Sequence, residues 1–329
     1  MDVKMSNSFS IEGAKKAKDG SEYRCQEDRY YSFGTKKYKA ELVLDGHTSG
    51  KRTDKRPTAG QQVVARVPTE ISKRLALFEQ KDKVKLIKQI FKEVDAGLKD
   101  DNGGCVLSGY VLDDRSLTLF NLGDCEYILF GVNDDKWTEL RRSSIHTPSS
   151  MQECLRMLKV LLQKRGVSEP SQCTLTSAMY AIMSAMFGKG EEKLPSPGEP
   201  YADSVRELWA NIDFVDRECR LKADDGTTLA VSRALGDAKF KKGRSVLLSN
   251  EPDVVQIPYS RLGSNVVIED ASFDCLVVVL FSDGVICNRG ATTRTAMRDL
   301  LIRGKGPEDI LANGSRDDAT VSISTLAFV

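Results

Sequence analysis

The sequence predicts an α+β domain built from layered sheets, and three observations lead there. Short apolar runs rich in β-branched residues stand in both halves of the chain. Segments with helical periodicity lie between them. The aspartates that stand out fall at strand ends, so the strands read as carriers of a common edge.

Taken in order, 30–33 reads as a short strand and 40–45 as the first long one. Residues 69–80 read as a helix opened by Pro68 and Thr69. In 83–99, Ile87, Ile90, Phe91, Val94 and Leu98 share one helical face. Strands follow at 105–112, 116–122 and 126–132. Asp113-Asp114 turns the chain between the first two and Gly123-Asp124 between the last two, which predicts an antiparallel meander. Helices are expected over 150–164, 174–187 and 293–303, with strands at 275–282 and 319–328. Met179, Met183 and Met186 recur at helical spacing, a stripe better read as core than as a binding surface. Two stretches read as exposed loops: the basic 51–56 and the Pro/Gly/charge-rich 188–200.

Composition narrows the function. A chain of 329 residues can bury a substantial core, and its net charge of +1 gives no global attraction to nucleic acid or to anionic membrane. No secretory signal and no span of about 18 apolar residues is visible, so a soluble intracellular protein is expected, cytoplasmic or nuclear. The eight cysteines are scattered and include no C-x-x-C pair, which fits buried free thiols. His47 and His146 are the only histidines, which argues against structural zinc and against a Ser-His-Asp or Cys-His hydrolase.

Carboxylates are left to do the chemistry. Asp45 ends the run Leu42-Val43-Leu44, Asp124 follows Leu122-Gly123, Asp283 ends the run 277–282, and Asp317 stands just before the last strand. Glu27 and Asp28 precede the strand at 30–33. Each aspartate alone also reads as a turn former or helix cap. Together at one sheet edge they would repel one another unless cations lay between them. Oxygen-only ligands suit Mg²⁺ or Mn²⁺.

Seven elements in order then resemble the protein phosphatase 2C family of metal-dependent serine/threonine phosphatases. They are Gln26-Glu27-Asp28-Arg29, LVLDGHTSG at 42–50, NLGDCEYIL at 121–129, LAVSRALGD at 229–237, LSNEPDV at 248–254, VLFSDGV at 279–285 and GSRDDATV at 314–321. The resemblance runs over the whole chain and implies one domain, 1–329. It implies a four-layer α/β/β/α sandwich of two antiparallel sheets, with two Mn²⁺ or Mg²⁺ ions, and a possible third, at one edge. Asp45 would bridge the ions and Gly46 would offer its carbonyl. Asp283 and Asp317 would hold the first ion, and Glu27 and Asp28 would support the second. Asp124 with Asp283 would form a third, weaker position. His47 would be the general acid and a metal-activated water the nucleophile, acting on phosphoserine or phosphothreonine of a phosphoprotein.

The sequence also departs from the family pattern. The position of the family's phosphate-binding arginine holds Tyr23, with Arg24 one step away and able to offer its fork to phosphate. Thr48 replaces a glycine, Val106 a threonine and Glu126 a basic residue. A long segment, 149–216, lies where family members carry a substrate-facing flap. These changes keep a second reading open, a pseudophosphatase that serves as a regulatory or scaffold partner. A haloacid-dehalogenase-like phosphotransferase is disfavoured: it needs a second acid two residues after its nucleophile, where His47 and Val285 stand.

Overall fold

The computed structural model describes residues 6–11, 14–16, 22–24, 27–48, 59–75, 82–98, 103–134, 136–167, 171–186, 194–195, 201–215, 218–242, 247–285, 299, 301–303 and 319–327. Two antiparallel sheets dominate. One has the strand order Ser6–Ile11, Ala319–Leu326, Cys275–Phe281, Glu126–Asn133, Lys136–Arg142. The other runs Asp253–Pro258, Ser116–Leu122, Gly103–Leu112, Lys39–Thr48, Arg29–Gly34. Short Leu235–Gly236 adds to the Gly103–Leu112 strand.

The layering follows from side-chain alternation along each strand. Leu42, Leu44, Leu107, Val111, Phe120 and Leu122 face helices α1 (Ala59–Leu75) and α2 (Lys83–Gly97). Val43, Tyr110, Leu112, Leu117 and Leu119 point the other way and meet Leu129, Leu276, Val278 and Leu280 of the first sheet. The opposite face of that sheet, with Ile128, Phe130, Val277 and Val279, is covered by Val285 and Leu301. Phe91 of α2 meets Phe120 edge to face at 5.7 Å and keys the helix layer to its sheet.

The expected strands and the helix over 83–99 are present, and four differences bear on the site. First, α1 begins at Ala59 and carries Pro68 inside it. Proline reads as a helix opener because it lacks the N–H needed further along. Here burial of Val63, Val64, Val67 and Ile71 overrides that local preference. Second, the strand 126–132 does not continue the meander: Glu126–Asn133 pairs with Cys275–Phe281 in the other sheet. The crossing is made at Gly123, whose φ of +89° only glycine adopts without strain. Third, the first long strand extends through Thr48, so Asp45, Gly46 and His47 are paired opposite Val106, Cys105 and Gly104. Fourth, Lys136–Arg142 is a further strand that carries no apolar signal because it is a largely exposed edge. The helix expected over 293–303 lies mostly outside the described residues, as does the basic loop 51–56.

The segment 149–216 supplies α3 (Met151–Lys164), α4 (Gln172–Ser184) and α5 (Ala202–Ala210), the last not foreseen in the sequence. Ser150 and Ser171 cap α3 and α4 by accepting from Glu153 N–H and Thr174 N–H. Their apolar cluster includes Cys154, Leu158, Leu161, Ile182 and Val205, and it is continuous with Val106 and Cys125 at the edge of the sandwich. The half-buried Met179, Met183 and Met186 pack against it, as core methionines do.

Glu153 fastens α3 to the rest. Its Oε1 accepts from Arg233 Nε (2.9 Å) and Nη2 (2.6 Å), and its Oε2 from Arg156 Nε (2.8 Å) and Ser232 Oγ (2.7 Å). Burial alone would raise its pKa, but Arg233 and Arg156 hold it down at about 2 against the usual 4.5. A carboxylate held low stabilises the fold above its ordinary pKa, and that contribution is lost as pH falls through the folded value. The two values together correspond to on the order of 3 kcal/mol. Wild-type stability from urea unfolding should therefore fall more steeply between about pH 5 and pH 2 than that of Glu153→Gln; parallel curves would contradict this role.

Candidate active site

The strand Lys39–Thr48 and the loops at its end carry the candidate site residues. Asp45, Gly46 and His47 sit on that strand, Asp124 just past Gly123 at the crossing between sheets, and Asp283 in the turn after Cys275–Phe281. Glu27 and Asp28 lead into Arg29–Gly34 and are both buried. Burying these two acids requires anchors. Thr48 Oγ1 donates to Glu27 Oε1 at 2.7 Å and itself accepts from Gly60 N–H at 2.9 Å. Ser282 Oγ donates to Asp28 Oδ2 at 2.6 Å and accepts from Thr320 N–H at 3.0 Å. Gly60 lets the first turn of α1 approach: a Cβ there would lie 2.8 Å from both Glu27 Oε1 and His47 N.

Electrostatics link these groups. Burial and the charge of Asp283 push the Asp124 carboxyl up, well above the usual carboxylate range. The Cys125 thiol is raised by burial first and then by the charges of Asp45, Asp124, Asp28 and Asp283. Glu27, Asp28, Asp45, Asp124 and Asp283 are thus drawn toward one end of the sandwich. Among the described residues, no three His, Cys, Asp or Glu side chains are close enough to hold one metal ion together. Asp317 lies outside the described residues, and so does the side chain of Arg24, whose backbone belongs to the short strand Glu22–Arg24. The residues that are described fit a hard cation in kind. Their donors are all oxygens, and Asp124 and Asp283, both half-buried, oppose each other where a positive charge would relieve the repulsion.

His47 has a partner that the sequence did not single out. Its Nε2 donates to Asp237 Oδ2 at 2.5 Å. Asp237 closes the LAVSRALGD element, is fully buried, and takes a left-handed φ of +50°. Its other oxygen, Oδ1, has no hydrogen-bond partner among the described residues. Such a conformation is uncommon for a residue other than glycine and is held here by neighbours. Asp237 N–H donates to Gly103 O, and the preceding Gly236 N–H donates to Asp95 Oδ1 of α2. Burial works against the charged form of His47, but Asp237, by charge and hydrogen bond, outweighs it, with Asp124 and Glu27 adding to the effect. The His47 pKa is accordingly raised above 6.5. The available signal was Asp237's place at the end of a motif, but 190 residues separate it from His47.

No protein-family model matches the chain, and no curated protein matches it by sequence. Solved structures do. A serine-threonine phosphatase 2C from Toxoplasma gondii superposes with a TM-score of 0.57 at 16% identity, over 98% of this chain and 94% of that one. A C. elegans sex determining protein gives 0.56 at 15% identity, over 99% of this chain and 65% of that one. At such identities the likeness concerns architecture: the chain has the phosphatase 2C fold.

Replacing Asp237 with Asn keeps a group of the same shape and removes its charge. The His47 pKa, followed by imidazole NMR, should fall in Asp237→Asn. An unchanged titration would show that Asp237 does not set it.

Proposed function

We propose that the chain is a metal-dependent protein-serine/threonine phosphatase. The observation that carries this reading is the placement of an acid–base pair, His47–Asp237, beside the opposed, half-buried carboxylates Asp124 and Asp283. The phosphatase 2C fold supports it. Asp45, the Gly46 carbonyl, Asp283 and Asp317 would hold Mn²⁺ or Mg²⁺, with Glu27 and Asp28 supporting a second ion and Asp124 a third. Bound there, the ions supply positive charge for the phosphoryl oxygens and lower the pKa of the attacking water.

The chain's own residues have distinct parts. Thr48 and Ser282 hold Glu27 and Asp28 in fixed rotamers through hydrogen bonds. Asp237 keeps His47 oriented and protonated, so that the imidazolium can give its proton to the serine or threonine oxygen as that oxygen leaves. Arg24 offers a fork to the phosphate. The segment 149–216, whose apolar core reaches Val106 and Cys125 beside Asp124, selects the phosphoprotein. In this reading Val106 in place of a threonine reflects that packing.

Two measurements test the proposal. The purified chain should hydrolyse p-nitrophenyl phosphate and a phosphothreonine peptide with Mn²⁺ or Mg²⁺ and not with EDTA, and Asp45→Asn should fall to the EDTA level. His47→Ala should lose roughly 10²- to 10⁴-fold on the peptide, whose alkoxide needs a proton, and far less on p-nitrophenyl phosphate, whose leaving group does not. A folded chain that binds Mn²⁺ but turns over neither substrate would be a pseudophosphatase instead.

Deleting 188–200 should slow turnover of a phosphoprotein more than of the small aryl phosphate. Equal effects would remove the segment's role in selection.

A further inference from the structure

His146 is the second histidine of the chain, buried and outside the machinery just described. Two hydrogen bonds tie it to a single residue. Its backbone N–H donates to Gly123 O at 2.9 Å, and its Nδ1 accepts from Gly123 N–H at 3.0 Å. A ring nitrogen that accepts carries no proton, which places the ring proton on Nε2. Nε2 faces Asp253 Oδ2 at 3.0 Å, with its N–H off the line to that oxygen. Asp253 Oδ1 accepts from Arg233 Nη1 at 2.8 Å, and Arg233 reaches Glu153 in the first turn of α3. A line of polar groups therefore runs from the foot of the 149–216 segment to the Gly123–Asp124 turn.

We propose that His146 is a positioning residue for Asp124: its Nδ1 clamps the Gly123–Asp124 turn, and the negative charge of Asp253, held in place by Arg233, favours the Nε2–H tautomer that makes the clamp possible. The role of Asp124 rests on the phosphatase reading; the clamp does not. The geometry makes the tautomer decisive. With its proton on Nδ1, the ring would set one hydrogen against that of Gly123 N–H, at a separation suited to a single shared hydrogen. Gly123 is also the residue whose left-handed backbone carries the chain from one sheet to the other, so a loosened clamp acts directly on the direction of Asp124.

Three variants test this. Asn at 146 places an amide oxygen where Nδ1 stands, whereas Gln places its polar group near Nε2. In Asp253→Asn, Arg233 retains the amide oxygen, so the NH₂ turns to Nε2 and drives the ring proton to Nδ1. Hydrogen exchange at Gly123 N–H should stay within about threefold of wild type in His146→Asn and rise at least about tenfold in His146→Gln and Asp253→Asn. The ¹⁵N shifts of the His146 ring should report the tautomer change in Asp253→Asn. Mn²⁺ affinity, by titration, should weaken about 10- to 100-fold in the same two variants and stay near wild type in His146→Asn. The proposal is overturned if the Asn and Gln variants behave alike, or if Gly123 exchanges equally in all three. Should His146→Gln fail to fold, Asp253→Asn, at a half-exposed position, carries the same comparison. A wild-type chain that neither turns over nor binds Mn²⁺ would sink the phosphatase reading, and the exchange and ¹⁵N measurements would still decide the clamp.

Discussion

Like charges gathered at one end of a sheet sandwich set the terms for this molecule. Asp28, Asp45, Asp124 and Asp283 all act on the thiol of Cys125, and burial with Asp283 drives the Asp124 carboxyl upward. A fold that collected such groups without anchors would open at that end. Each described anchor is small and specific. Thr48 takes Glu27, Ser282 takes Asp28, and Asp237 takes His47. The two sheets bring the anchors within reach because strands far apart in sequence end at the same edge. What relieves the remaining repulsion is, in the proposed reading, the cation that the chemistry needs.

Seen this way, some departures from the phosphatase 2C pattern are accommodated rather than merely tolerated. A side chain at position 48, where the family has glycine, supplies the hydroxyl that joins Glu27 to the first turn of α1. Val106, in place of a threonine, belongs to the apolar cluster that the 149–216 segment builds on the edge of the sandwich. Glu126, in place of a basic residue, is buried and adds to the charge that raises Asp124. The altered loops therefore couple the acidic edge more closely to its surroundings, through α1 on one side and α3 on the other. Glu153 is the fixed point of the second coupling, with both carboxylate oxygens engaged by Arg233, Arg156 and Ser232.

Much of the fold was legible because period-two alternation and strand-end turns are local properties. The strand Ser116–Leu122 and the helix over 83–97 appear where the pattern put them. The polar edge strand Lys136–Arg142 was not legible, because an exposed edge needs no apolar pattern to pair. Nor was the start of α1, because Pro68 inside a helix is permitted only by the burial of the valines around it. The acidic residues proposed for the site were named from motif and strand position. Their anchors could not, since Asp237 meets His47 across 190 residues and Ser282 meets Asp28 across 254.

The sequence by itself determined the layered α+β class and supplied, at motif positions, the acids proposed for its edge. Those follow from residue types and their local spacing. Only the tertiary structure decided that the strand after Gly123 crosses to the second sheet, that His47 is paired with Asp237, and that His146 holds the turn bearing Asp124. The physical reason is the same in each case. A left-handed backbone residue, a buried carboxylate and a ring tautomer are fixed by partners brought in from distant parts of the chain, and local sequence carries no record of which partner arrives.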